Sequence, residues 1–130
     1  MSDRRVTATL GREGYTTVMT ARTHTLVADE PLDIGGSDVS ANPYEYLLAS
    51  LASCTAITLR MYAERKGWPM EGVDVVIDMT GGQTPTITRT LDVRGPLDDA
   101  QRARLVEIAD ACPVSRLLET GVPIATAPGA

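Results

Sequence analysis

Phenylalanine is absent from the 130 residues, histidine and tryptophan occur once each, and cysteine occurs twice. Without Phe, a core has to be built from Leu, Val, Ile, Met and Ala. The single histidine, His24, leaves no set of ligands at metal-binding spacing, so no metal and no cofactor is expected. No C-x-x-C pair is present, which removes a thioredoxin-type motif. Neither a glycine-rich phosphate loop nor a serine nucleophile elbow occurs. No apolar run approaches the roughly 20 residues of a membrane span. The N-terminal run Met1-Ser2-Asp3-Arg4-Arg5-Val6 lacks the apolar centre of a signal peptide. A cytoplasmic location is the expectation. Positive charge is also scarce: 12 Lys and Arg face 17 Asp and Glu, giving a net charge of −5. That balance argues against nucleic-acid backbones and anionic membrane surfaces as partners.

With 43% hydrophobic and 22% charged residues the composition is ordinary for a globular chain. One domain over residues 1–130 is expected. Three extended runs open it: Arg5 to Leu10, Tyr15 to Ala21 and Thr25 to Ala28. Gly11 and Gly14 mark a hairpin between the first two. A loop through Asp29-Glu30-Pro31 and Gly35-Gly36-Ser37-Asp38 follows. Asn42 then caps a long helix with Pro43 at its first position and Glu45 at its third. Leu47, Leu48, Leu51, Cys54, Thr55, Thr58 and Met61 recur at helical spacing. Arg65 and Lys66 fill the last turn, and Gly67 provides a left-handed cap before Pro69. A helix from Pro43 to Lys66 spans roughly 36 Å and needs cover on more than one side.

Two strands are expected next, Val73 to Thr80 and Thr86 to Arg94. The second alternates Ile87, Arg89, Leu91 and Val93 on one face against Thr and charged residues on the other. A second helix starts at Asp98, with Gln101 completing a capping box, and stops near Cys112 because Pro113 follows. A short helical turn from Pro113 to Glu119 and a strand from Val122 to Thr126 complete a βββ-α-ββ-α-β order. The class is α+β.

The chemistry rests on the two cysteines. In a reducing compartment they are either inert buried thiols or a redox pair. Cys54 sits mid-helix among small residues: Ala49, Ser50, Ala52, Ser53 and Ala56. Cys112, just before Pro113, occupies an N-cap position. A sulfur there meets the free amides of Val114 and Ser115, which favours a thiolate, unless the residue is only a chain corner.

These residues carry a resemblance. Asn42-Pro43-Tyr44-Glu45-Tyr46-Leu47-Leu48-Ala49-Ser50-Leu51-Ala52-Ser53-Cys54 resembles the first cysteine helix of the OsmC/Ohr family, and Cys112-Pro113-Val114-Ser115 its second cysteine motif. The stretch from His24 through Gly35-Gly36 is similar to a branch also found fused behind α/β-hydrolase domains. The resemblance implies an OsmC-like α+β fold with a long central helix and antiparallel sheet, in an intertwined homodimer with active sites at the subunit interface. It implies a thiol-dependent peroxidase of the oxidative stress response, acting on organic hydroperoxides. A small dithiol or a reducing protein would reset it. Cys54 aligns with the peroxidatic cysteine and Cys112 with the resolving one. An arginine that lowers the thiol pKa is expected at Arg22, with Arg116 as a second candidate.

The family's orienting glutamate lies ten residues before the cysteine. Here Tyr44 holds that place and Glu45 lies nine before. Nine helical residues turn the side chain about 180° away and roughly 13 Å along, so within one straight helix Glu45 does not reach Cys54. It acts catalytically only across a dimer; otherwise it is a cap. The alternative function is a small-molecule-binding module of the same fold with inert cysteines.

Overall fold

In the computed structural model, which describes residues 4–129, the N-terminal Val, Thr and Met residues pair as an antiparallel meander. Its strands are β1 (Thr7–Leu10), β2 (Thr17–Ala21) and β3 (His24–Ala28). Met1, Ser2, Asp3 and Ala130 belong to the expected domain but lie outside the described residues. The chain divides after Leu47 into two compact units.

In the first unit the buried side chain of Asp29 organises the loop after β3. Its carboxylate accepts from the Thr16 hydroxyl at 3.0 Å and from the amides of Glu30, Ser37 and Val39 at 2.8, 3.4 and 3.3 Å. The Asp29 amide closes the loop on the Ala41 carbonyl at 3.1 Å. Gly36 passes so close to the Glu30 carbonyl that a Cβ there would lie 1.9 Å from its oxygen. Tyr46 then anchors to the Val27 carbonyl through its hydroxyl at 2.5 Å.

Helix α1 (Pro43–Lys66) has the expected bounds and the expected ends. The Asn42 amide donates to Glu45 Oε1 at 2.9 Å while the Glu45 amide donates to Asn42 Oδ1 at 2.8 Å. This reciprocal pair satisfies two amides that a helix start leaves free. Gly67 closes the other end at φ 67°.

In the second unit β4 (Gly72–Thr80) and β5 (Thr86–Arg94) form a hairpin in register from Gly72 opposite Arg94 to Thr80 opposite Thr86. The capping box at Asp98 and Gln101 starts α2 (Asp99–Asp110) as expected. Cys112 is the N-cap of α3 (Pro113–Thr120). Leu59, Tyr62 and Ala63 of α1 pack with Met70, Leu97, Leu105 and Ala109, and Leu91 and Val93 of β5 border them. Arg102 crosses this region to donate to the carbonyls of Val93, Gly95 and Leu97. The class is α+β, with antiparallel sheets.

One expectation is corrected. Val122 to Thr126 forms no strand: this stretch has no regular secondary structure, and Ile124 is 87% exposed. Pro123 lacks the amide a ladder needs, and among the described residues no strand pairs with it. Helix α1 buries Leu51, Thr55, Leu59, Tyr62 and Ala63 within this chain and leaves Ile57 and Met61 exposed.

The Asp29 clamp is acid-sensitive. Its hydrogen bond from the Glu30 amide leads the contacts that outweigh the cost of burial and draw its pKa below the ordinary carboxylate range. A depressed folded pKa stabilises at pH values above the unfolded one, and that stabilisation disappears as pH falls through the folded value. Asp29→Asn should therefore unfold at lower urea than the parent at neutral pH, with the gap narrowing progressively below about pH 4.

Candidate active site

Both cysteines belong to the second unit. Cys54 is half-buried on α1, and Cys112 is completely buried at the start of α3. Helix periodicity sets Cys54 beside Thr55 and Thr58. Pro113 turns the chain, so that α3 begins against α1 with Cys112 foremost. The two thiols lie close enough to perturb each other's ionisation, and each is free.

Their environments differ. Burial, followed by the contact with Cys112, pushes the Cys54 thiol above its ordinary pKa. Burial alone would raise Cys112 too. There, however, Cys54, the Ser115 amide, the Thr55 hydroxyl and the Val114 amide together outweigh burial, and the thiol lies below its ordinary value. No directed capping hydrogen bond reaches the sulfur, so the α3 amides act on it as nearby dipoles. Of the two thiols, Cys112 is the one that gives up its proton more readily.

Access runs the other way. Cys54 opens into a cavity of about 430 Å³ lined by Ser50, Ser53, Ile57, Met61, Pro113 and Val114. Most of these residues are apolar. The sulfur that a small molecule meets is that of Cys54, and Cys112 lies behind it.

A further charged residue borders the pair. Arg89 lies on the face of β5 that also carries Leu91 and Val93, and its side chain is only 14% exposed. Its guanidinium donates to Thr55 Oγ1 at 2.9 Å, Ser115 Oγ at 3.2 Å and Asp110 Oδ1 at 3.2 Å. In the sequence Arg89 falls within the apolar alternation of β5, where nothing local assigns it a role. A lone arginine among Ile87, Leu91 and Val93 was the available signal, since such a cation needs buried acceptors.

The OsmC-like protein family matches residues 35–127, a span that includes both cysteines.

This chain belongs to the OsmC-like protein family.

Among solved structures, the OsmC-like protein of Mycoplasma pneumoniae is similar at a TM-score of 0.77 and 16% identity, over 91% of this chain and 88% of that one. The organic hydroperoxide resistance protein OsmC of Legionella pneumophila matches at a TM-score of 0.66 and 19% identity, over 91% and 90%. An organic hydroperoxide resistance protein of Elizabethkingia anophelis matches at 0.68 and 21%, over 89% and 87%. At these identities the likeness establishes the fold. Among curated proteins none matches.

The remaining candidates of this OsmC-like chain are placed as follows. Arg22 is exposed in the turn between β2 and β3, at φ 55°, a backbone region uncommon for a side-chain-bearing residue. Glu45 is exposed, with its carboxylate engaged in the α1 cap. His24 is exposed at the start of β3, and Arg116 is exposed on α3. Among the described residues no three His, Cys, Asp or Glu side chains gather as metal ligands would. No described helix is long and apolar enough to cross a membrane.

In the native protein an alkylating reagent should label Cys54 well before Cys112. The labelling rate should keep climbing with pH beyond the ordinary thiol range, because the raised pKa withholds the Cys54 thiolate. Peptide mapping of partly alkylated protein over a pH series checks both. Earlier labelling of Cys112 would contradict the burial difference.

Proposed function

We propose that this protein is a thiol-dependent peroxidase that reduces organic hydroperoxides through a Cys54 sulfenic acid and a Cys54–Cys112 disulfide. The observation that carries the reading is the accessible Cys54 sulfur, facing an apolar cavity and backed by a buried thiol of lower pKa. The solved relatives named for organic hydroperoxide resistance support the same substrate class.

In this reading the Cys112 thiolate takes the proton of Cys54 as the Cys54 sulfur attacks the terminal peroxide oxygen. The O–O bond breaks, the S–O bond forms, and the alkoxide leaves, taking a proton from solvent to become an alcohol. The Cys112 sulfur, giving up its proton again, attacks the sulfenic sulfur. The S–S bond forms and the hydroxyl departs with that proton as water. A dithiol or reducing protein restores the thiols by exchange. The apolar lining favours alkyl peroxides over hydrogen peroxide.

Arg22 remains the proposed cation for the Cys54 thiolate. Glu45 belongs to the proposed site as well, with its helix-capping role the one its contacts support. A homodimer fits the exposed Ile57 and Met61 of α1 and the exposed Ile124. A second copy covering them would give α1 the two-sided cover its apolar residues call for. A cytoplasmic location accords with two cysteines kept free for redox work.

Cumene hydroperoxide should convert two free thiols to none and yield the 54–112 disulfide, seen by thiol counting and peptide mass. Cys54→Ser should abolish turnover. Survival of both thiols in excess peroxide would leave the non-catalytic binding module as the correct reading. Glu45→Gln keeps the cap but removes the charge. A capping role predicts peroxide turnover within about twofold of the parent, whereas a catalytic one predicts a loss of about 100-fold or more.

A further inference from the structure

We infer that Arg89 is a positioning residue for Cys112, acting through the Thr55 hydroxyl to ready that sulfur for disulfide closure. The inference rests on the peroxidase reading and adds to it a residue and a relay.

The geometry is specific. Thr55 is completely buried one residue after Cys54, and its hydroxyl is a neighbour of Cys112. Thr55 Oγ1 accepts from Arg89 Nη1 at 2.9 Å and donates to the Leu51 carbonyl at 2.7 Å. A hydroxyl has one proton to give. With the Arg89 donor fixed on the oxygen, that proton has two available acceptors, the Leu51 carbonyl and the Cys112 sulfur. When Cys112 carries a thiol, the carbonyl takes it. When Cys112 is a thiolate, the hydroxyl rotates to the sulfur. A cation donating to the oxygen polarises the O–H and strengthens that second bond.

The second arm of the guanidinium supports the same end. Arg89 Nη2 reaches Ser115 Oγ, which in turn donates to Glu119 Oε1 at 3.3 Å, and this fixes the first turn of α3 whose amides face Cys112. The charged and titratable groups around the sulfur are thus Cys54 from α1, Arg89 from β5, Asp110 from α2 and Glu119 from α3. Asp110 is 76% exposed, so its pairing leaves much of the guanidinium's charge for the buried side.

Cys112 closes the disulfide as a nucleophile, so a smaller thiolate population slows that step and leaves the Cys54 sulfenic acid open to a second peroxide. A second oxidation gives the sulfinic acid.

The test titrates Cys112 alone, in a Cys54→Ala background, by thiolate ultraviolet absorbance. Arg89→Gln should raise the midpoint by about one pH unit, and Thr55→Val should raise it similarly. The double variant should add little beyond either, because both break one relay. With both cysteines present, Arg89→Gln treated with cumene hydroperoxide should accumulate Cys54 sulfinic acid in place of disulfide. An unchanged midpoint in both single variants, with only a lowered unfolding midpoint, would make Arg89 merely structural and overturn the inference. If Arg89→Gln fails to fold, Thr55→Val decides by the same criterion. The titration needs no peroxide, so a shifted midpoint in a protein whose thiols ignore hydroperoxide would refute the peroxidase reading alone. Normal turnover with an unshifted midpoint would refute the relay alone.

Discussion

A guanidinium withdrawn from water must be met by acceptors, and in the second unit that requirement falls on Arg89. Its partners come from three different helices: Thr55 on α1, Asp110 on α2 and Ser115 on α3. An unmatched buried cation costs several kcal/mol, far more than any one of these contacts contributes in water. The strand that supplies Arg89 therefore selects the packing in which all three helices converge. Convergence brings the middle of α1 against the start of α3, where the cysteines lie. Arg89 thus helps to tie together the three helices around the two cysteines.

The two thiols divide the properties a reactive centre needs. Cys54 has access and Cys112 has the better-stabilised anion. The division follows from position. A mid-helix sulfur finds no free amide in its own helix, because each is committed to the carbonyl four residues back, and only the Val114 amide of α3 acts on Cys54 from outside. An N-cap sulfur faces amides that have no partner within the helix. Proline at the first position of α3 strengthens the contrast: it contributes no amide and sets the turn that buries the cysteine.

The local signals in the chain translate directly into structure. Asn42, Pro43, Glu45 and Gly67 fix both ends of α1, and Asp98 with Gln101 fixes the start of α2, because capping is decided within a few residues. The same holds for Cys112 as a cap. Arg89 was hidden for the opposite reason. Alternation places it on the inner face correctly, but its partners lie 34, 21 and 26 residues away, and no short-range pattern names them. Val122 to Thr126 misled through its β-branched content. Strand propensity needs a partner edge to become a strand, and Pro123 withholds an amide from one.

The Asp29 loop constrains what can change upstream of the first cysteine. Because one carboxylate counts off the amides of residues 30, 37 and 39 while the loop's ends are stapled at 29 and 41, the segment behaves as a measured spacer. Adding or removing a single residue there would put the wrong amide opposite the carboxylate. Surface loops usually drift in length among related chains. This one should vary in composition at its outward positions while keeping its residue count, like a belt with fixed holes.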